Sequence, residues 1–298
     1  MTTALITHAD CLEHVTPEGH PERVARLEHV LHALEPLDLL RVTAPLAADD
    51  DILRVHPAAY LADLRRNLPA DEFHAIDADT WLSPGSLDAA FRGAGAMVRA
   101  IDMVLGGEAK NAFAAVRPPG HHAAIDLYGG YCFINNAAVA TQMFLDQGAK
   151  RVAIIDVDFH HGNGTQQIFY HRDDVLFLSI HGDPMEAFPH FLGHADETGT
   201  GAGQGFTVNY PLPSDTPYPV WKDRLDRALA QIAGYNADLL IASLGVDTYE
   251  NDPISFFKLT SDSFTDYGHA LEPPPRAGVQ LSVQPSDARA DNHGRMAQ

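Results

Sequence analysis

IIDVDFHHGNGT, residues 154–165, places two aspartates one residue apart at the end of an apolar run, then two adjacent histidines, then a glycine-rich turn. The apolar run begins upstream as RVAIIDV (151–157), and bounded by polar residues it reads as a strand apolar on both faces. AFAAV (112–116), VLFLSI (175–180) and LLIASL (239–244) are runs of the same kind. Helical patterns lie between them, NNAAVATQMFLDQG (135–148) and VWKDRLDRALAQIAGY (220–235). This alternation predicts an α/β fold, one domain over residues 1–270 with a central, mostly parallel sheet flanked by helices. The first third reads as helices and loops, with Val24, Leu27, Val30, Leu31 and Leu34 at helical spacing after Pro21. No internal repeat and no linker precede residue 270.

Ligands of such sheets bind beyond the carboxyl ends of the strands. RPPGHH (117–122), DVDFHHGNG (156–164), IHGDP (180–184) and LGVDTYENDP (244–253) each follow one of the four strands. They are therefore expected to share one crevice.

Composition narrows what that crevice serves. The chain has 298 residues, 45% of them apolar, a normal proportion for a packed core. Net charge is −20, from 40 acidic and 20 basic residues, which argues against nucleic acid as a partner; it would attract a cationic substrate, but on its own a soluble acidic surface is the simpler reading. No apolar run reaches the roughly 18 residues of a membrane span, and MTTALITHADCLEH lacks the features of a signal peptide, so no membrane partner is expected. Cys11 and Cys132 form no disulfide framework and suit a reducing cytoplasm. Histidine is the unusual count, 17, with pairs at 121–122 and 160–161.

Alternation along a strand sends Asp156 and Asp158 to one side, with His160 next in that series. Asp158 and His160 offer an oxygen and a nitrogen, and Asp247 from another strand end offers a third ligand. Three protein ligands with one open position describe a catalytic metal site, suited to Zn2+ first, with Fe2+ or another divalent ion as the alternative. Alone, Asp-x-Asp-x-His fits a structural hydrogen-bond network as well; Asp247 and the second histidine pair at neighbouring strand ends favour the metal. His121 and His122 exceed what ligation needs and read as an acid–base pair for hydrolysis. Asp156 and Asn163 are placed to hold one histidine each. A carboxylate raises an imidazole's pKa and an amide adds no charge, so the two are expected to titrate differently.

In the order GHPERVARL, RPPGHHA, GGYCFINNAAVA, IIDVDFHHGNGTQ, LSIHGDP and SLGVDTYENDP, residues 8–268 resemble the zinc-dependent deacetylases of the arginase–deacetylase fold. That group includes histone deacetylases, acetoin-utilisation proteins and bacterial acetylpolyamine amidohydrolases. The loop at 180–213 and DTYENDPISFFKLT (247–260) look most like the acetylpolyamine branch. The resemblance implies Zn2+ on Asp158, His160 and Asp247, and His121 and His122 as acid–base pair backed by Asp156 and Asn163. It also implies a narrow channel lined by Gly130, Tyr131 and Phe188, and K+ held behind the zinc by Asp156, Ser179 and backbone carbonyls. Spacing alone does not suggest the K+. The implied reaction is hydrolysis of a small acetylated amine to acetate and free amine, in the cytoplasm, with a homo-oligomer left open.

One part of the family pattern is not found. The tyrosine that stabilises the oxyanion in this family lies in a glycine-rich segment after a further strand, whereas here FKLTSDSFTDYGHALE (257–272) runs into PPPRAGVQLSVQPSDARADNHGRMAQ. Residues 271–298 read as a disordered or frameshifted tail, and the last strand and helix are expected to be missing. Tyr128, Tyr249 and Tyr267 are the candidates for a substitute donor; losing such a donor costs about 100- to 1000-fold in rate. Within the class the alternative is a protein acetyl-lysine deacetylase. Outside it, the alternative is an inactive acetyl-amine-binding pseudoenzyme. An arginase-like binuclear hydrolase fits RPPGHH and GGYCF poorly.

Overall fold

Val152–Asp156 is buried along its whole length, and a strand with two apolar faces is stable only inside a sheet that is covered on both sides. The structure, a computed structural model, describes residues 2–271 and the backbone of residues 280–283. In chain order its strands are β1 (Thr3–Thr7), β2 (Leu40–Thr43), β3 (His74–Ala75), β4 (Trp81–Leu82) and β5 (Asn111–Ala114). They continue with β6 (Val152–Asp156), β7 (Val175–Gly182), β8 (Thr207–Leu212), β9 (Leu239–Ser243) and β10 (Gln280–Val283). Eight of them form one sheet in the order β2-β1-β5-β10-β9-β6-β7-β8, all neighbours parallel. β3 and β4 pair separately, antiparallel.

Alternation along β6 divides the core in two. Val152 and Ile154 join Phe177, Ile241 and Met97 on the face covered by helices Val24–Leu34, Ser86–Leu105 and Asn136–Asp146. Ala153 and Ile155 join Leu178, Ala242 and Trp221 on the face covered by helices Tyr218–Tyr235 and Ser261–Ala270. Among the described residues no helix is long and apolar enough to cross a membrane.

Two expectations are corrected. The first third is not only helices and loops, because Thr3–Thr7 and Leu40–Thr43 extend the sheet as β1 and β2. β1 is short, but Ala4, Leu5 and Ile6 are buried, so packing supplies what its length does not. The last strand is also not missing. Gln280–Val283 lies between β5 and β9, with Leu281 opposite both Ala112 and Ile241. A gap there would leave the facing backbone groups of β5 and β9 unpaired in mid-sheet, and these four residues satisfy them. The expected loss of the last helix, and the rest of the reading of 272–298 as a tail, lie outside the described residues.

The histidine-bearing loop leaves β5 through Arg117, a fully buried side chain. Arg117 Nε donates to Glu22 Oε1 at 2.7 Å, and the same carboxylate accepts from Arg117 Nη2 and from Arg26. Burial pushes the Glu22 carboxyl up, but the two guanidinium groups outweigh it and hold the group well below the usual carboxylate range. This cluster pins the start of the RPPGHH loop to the N-terminal third. Glu22→Ala strands two buried arginines and is expected to cost about 3–5 kcal/mol in a denaturant titration; a loss under about 1 kcal/mol would mean that water reaches them.

Candidate active site

β6 and β9 are neighbours, with Asp156 opposite Ser243, so the loops that leave their carboxyl ends meet. Asp158, His160 and Asp247 come together there, all buried, with ligand atoms within 4.8 Å of one another. His160 Nδ1 is 2.8 Å from Asp247 Oδ2 and 3.3 Å from Asp158 Oδ1. Backbone amides fix the carboxylates from behind. The N–H of His160 donates to Asp158 Oδ1 at 2.7 Å and that of Phe159 to Asp247 Oδ1 at 2.9 Å.

Electrostatically the triad is short of positive charge. Burial and the adjacent Asp247 push the Asp158 carboxyl up to about 7. Burial works against the His160 imidazolium, yet hydrogen bonds and charge from Asp158 and Asp247 raise its pKa well above the ordinary value. Asp158 Oδ2 is buried and has no hydrogen-bond partner among the described residues. A divalent cation fits this donor set: it would satisfy that orphaned oxygen and offset two carboxylates in a low-dielectric site.

β5 delivers the histidine pair from the other side. His121 Nδ1 donates to Asp156 Oδ2 at 2.9 Å, and His122 Nδ1 donates to Asn163 Oδ1 at 2.6 Å, a pairing that the sequence spacing leaves open. Their ring centroids are 4.0 Å apart. Burial lowers both, but at His121 the charges of Asp156 and Asp158 win and the pKa rises. At His122 burial is reinforced by His121 and His160, and the pKa falls well below the ordinary value. The two histidines are shifted in opposite directions, as expected, and because burial lowers both, the difference comes from the neighbouring charges.

A cavity of about 280 Å3 opens onto His122 and His160. Gly130, Tyr131 and Phe188 all line it, so the three residues assigned to a channel are brought together. The Phe188 ring lies 5.1 Å from that of His122 and 6.3 Å from that of His160. Gly130 is required as glycine: φ is +53°, and a Cβ would come within 2.3 Å of His122 Cδ2. Asp79, Glu186, His190, Ile254 and Phe256 also line the cavity and were not singled out from the sequence. They sit on loops with no periodic pattern; DTYENDPISFFKLT did contain Ile254 and Phe256, but nothing in it marks which side chains turn inward.

The three substitute tyrosines do not join the cavity. Tyr267 is buried in the core beside Trp221, Tyr249 packs near Phe264, and Tyr128 lies near Tyr60. Ser179 stands opposite Asp156 in the β6–β7 ladder, with its hydroxyl 2.8 Å from His181 Nδ1.

Comparison with known proteins gives a consistent set of relatives. Residues 20–274 match the histone deacetylase domain. The chain is 47% identical over 290 residues to an acetylpolyamine amidohydrolase of Mycoplana ramosa, covering 87% of this chain and 84% of that one. It is 44% identical over 284 residues to acetylpolyamine amidohydrolase 1 of Pseudomonas aeruginosa, covering 84% and 82%. The crystal structure of an acetylpolyamine aminohydrolase from Burkholderia pseudomallei is similar at a TM-score of 0.85 and 31% identity, covering 95% of this chain and 93% of that one.

If the triad is the metal site, Asp247→Ala should lose a stoichiometric bound metal while Asp156→Asn keeps it, read by elemental analysis of the purified proteins. Retention of full metal content by Asp247→Ala would remove Asp247 from the ligand set.

Proposed function

The chain belongs to the histone deacetylase domain family, and from that premise we propose that it hydrolyses small acetylated amines of the acetylpolyamine class with zinc at its centre. The carrying observation is the cavity itself. Buried His122 and His160 form its inner end, Tyr131 and Phe188 are aromatic walls, and Asp79 and Glu186 contribute carboxyl groups. Apolar walls suit the methylenes of an acetylated amine, and the carboxyl groups suit a cationic remainder. The likeness to two acetylpolyamine amidohydrolases supports the small-amine branch over a protein acetyl-lysine substrate.

Asp158, His160 and Asp247 would hold Zn2+, which when bound polarises the acetamide carbonyl and lowers the pKa of the attacking water. The proton chemistry belongs to the histidines. His122 Nδ1 is committed to Asn163, so its Nε2 keeps the lone pair, and a depressed pKa keeps it neutral to accept the water's proton. His122 lines the cavity, so the same nitrogen is placed to return that proton to the departing amine. His121, held charged by Asp156, supplies positive potential beside the oxyanion that forms. The bond broken is the amide C–N, and water's oxygen ends in acetate.

Behind His121, Asp156 and Ser179 are our assigned ligands for K+. His181 Nε2 faces the Gly193 carbonyl at 2.9 Å and so carries the proton; Nδ1 then accepts from the Ser179 hydroxyl, whose oxygen lone pairs stay available. Both cysteines are free and buried, which suits a reducing compartment, and we place the protein in the cytoplasm. One observation favours a binding-only alternative: among the described residues Tyr131 is the tyrosine that lines the cavity, and Tyr128, Tyr249 and Tyr267 do not.

With zinc supplied, acetate release from N-acetylputrescine should exceed that from an acetyl-lysine peptide by at least about tenfold in kcat/KM, a difference of the size pocket contacts provide. Equal values would overturn the small-amine half of the reading, and hydroxamate binding without acetate release would establish the binding-only alternative. His122→Ala should lower turnover about 100- to 10,000-fold with metal content unchanged; loss of the metal as well would make His122 a ligand.

A further inference from the structure

The 183–206 segment between β7 and β8 carries Glu186, Ala187, Phe188 and His190 to the cavity. Sheet hydrogen bonds reach only its ends, from the Asp183 N–H to the Leu212 carbonyl and from the Phe177 N–H to the Phe206 carbonyl. Glu186 accepts from the Ser214 hydroxyl and Thr200 N–H donates to the Tyr170 carbonyl, and between them a polar relay fastens the stretch around Gly193. Helix Asn163–Phe169 presents Asn163, which holds His122, and one turn later Gln166, which is buried. Gln166 Nε2 donates to Glu197 Oε2 at 2.6 Å, while its Oε1 accepts from Asn209 Nδ2 at 2.7 Å and from His161 Nε2 at 3.1 Å. The Glu197 carboxylate accepts the backbone N–H groups of Gly193 and His194, each at 3.1 Å. Gly193, at φ +95°, rests on the His161 and His181 imidazoles so closely that a Cβ would come within 2.7 Å of both. Its carbonyl accepts from His181 Nε2.

We propose that the Gln166–Glu197 hydrogen bond is a strap that sets the Phe188 wall of the channel against His122, making Gln166 and Glu197 positioning residues for substrate fit. The proposal rests on the reading of the cavity as the acetylated-amine channel. One short helix thus orients the proton acceptor through Asn163 and the aromatic wall through Gln166. Phe188 is five residues from Gly193, and the chain turns back around it, with Phe191 N–H donating to the Pro184 carbonyl at 3.0 Å. Loosening Gly193 and His194 therefore releases a closed loop, with Phe188 inside it.

The pairing is directional, so it can be broken by either single change, each of which shifts the net charge by one, and restored by a swap that leaves the net charge unchanged. Glu197→Gln sets an amide donor either against Gln166 Nε2 or against the N–H groups of Gly193 and His194, and Gln166→Glu sets two carboxylates face to face. The double swap returns a donor to an acceptor between the two side chains, and the remaining oxygen at 197 still accepts from the N–H groups of Gly193 and His194. A wall that meets methylenes equally in the ground and transition states affects KM rather than kcat. Each single variant should raise KM for N-acetylputrescine about five- to tenfold with kcat within about twofold, and the swap should return KM to within about twofold of the parent. Amide hydrogen exchange over residues 189–194 should rise in each single variant and fall back in the swap. Parental KM values in the single variants, or a folded swap that fails to restore KM, would overturn the strap. If the parent itself shows no turnover, the functional reading fails, and hydrogen exchange alone decides: rescue by the swap supports the strap, and its absence overturns it.

Discussion

Asp158 and Asp247 are fully buried beside one imidazole, and two carboxylates taken out of water at that range are stable only with positive charge between them. His160 and the backbone amides of Phe159 and His160 meet part of that need. The unpartnered Asp158 Oδ2 is the part they do not meet. The surrounding structure follows from the constraint. The carboxylates must be held rigidly enough that a cation, rather than rearrangement, resolves the repulsion, and parallel strands covered on both faces provide that rigidity.

The same sheet accounts for the division of labour between the histidines. β5 and β6 are separated by β10 and β9, so the loops after β5 and β6 approach the triad from different directions. His121 turns toward Asp156 at the end of β6, and His122 toward Asn163 at the start of the next helix. Adjacent residues in one loop therefore sit in opposite potentials, one imidazole favoured in its charged form and the other held neutral. Hydrolysis of an amide needs both at once, a base for the water and positive charge for the oxyanion.

Much of this was legible before any fold was known, for local reasons. The four central strands announced themselves because burial on both faces demands continuous apolar runs, and their polar followers pointed to one edge because parallel strands share a direction. That Asp156 and Asn163 hold one histidine each followed from residue type and proximity to the DxDxH run; which holds which did not. β1, β2 and β10 were not legible in the same way. Each is four or five residues long, and each owes its strand state to neighbours that complete its ladder. Local pattern carries no trace of a partner more than a hundred residues away, as Ala112 is to Leu281. Asp79, His190 and Phe256 were hidden for a related reason, since loops have no period from which to read a direction.

The sequence by itself determined the chemistry available here: which carboxylates and imidazoles stand at strand ends, and that a divalent cation would suit them. It could do so because strand polarity and side-chain alternation are properties of a few consecutive residues. The tertiary structure alone decided which histidine lines the cavity, how β10 closes the sheet, and how Glu197 reaches Gln166 to hold the aromatic wall. Those are distances between segments far apart along the chain, set by packing the whole core at once, and no window of the sequence contains both ends of them.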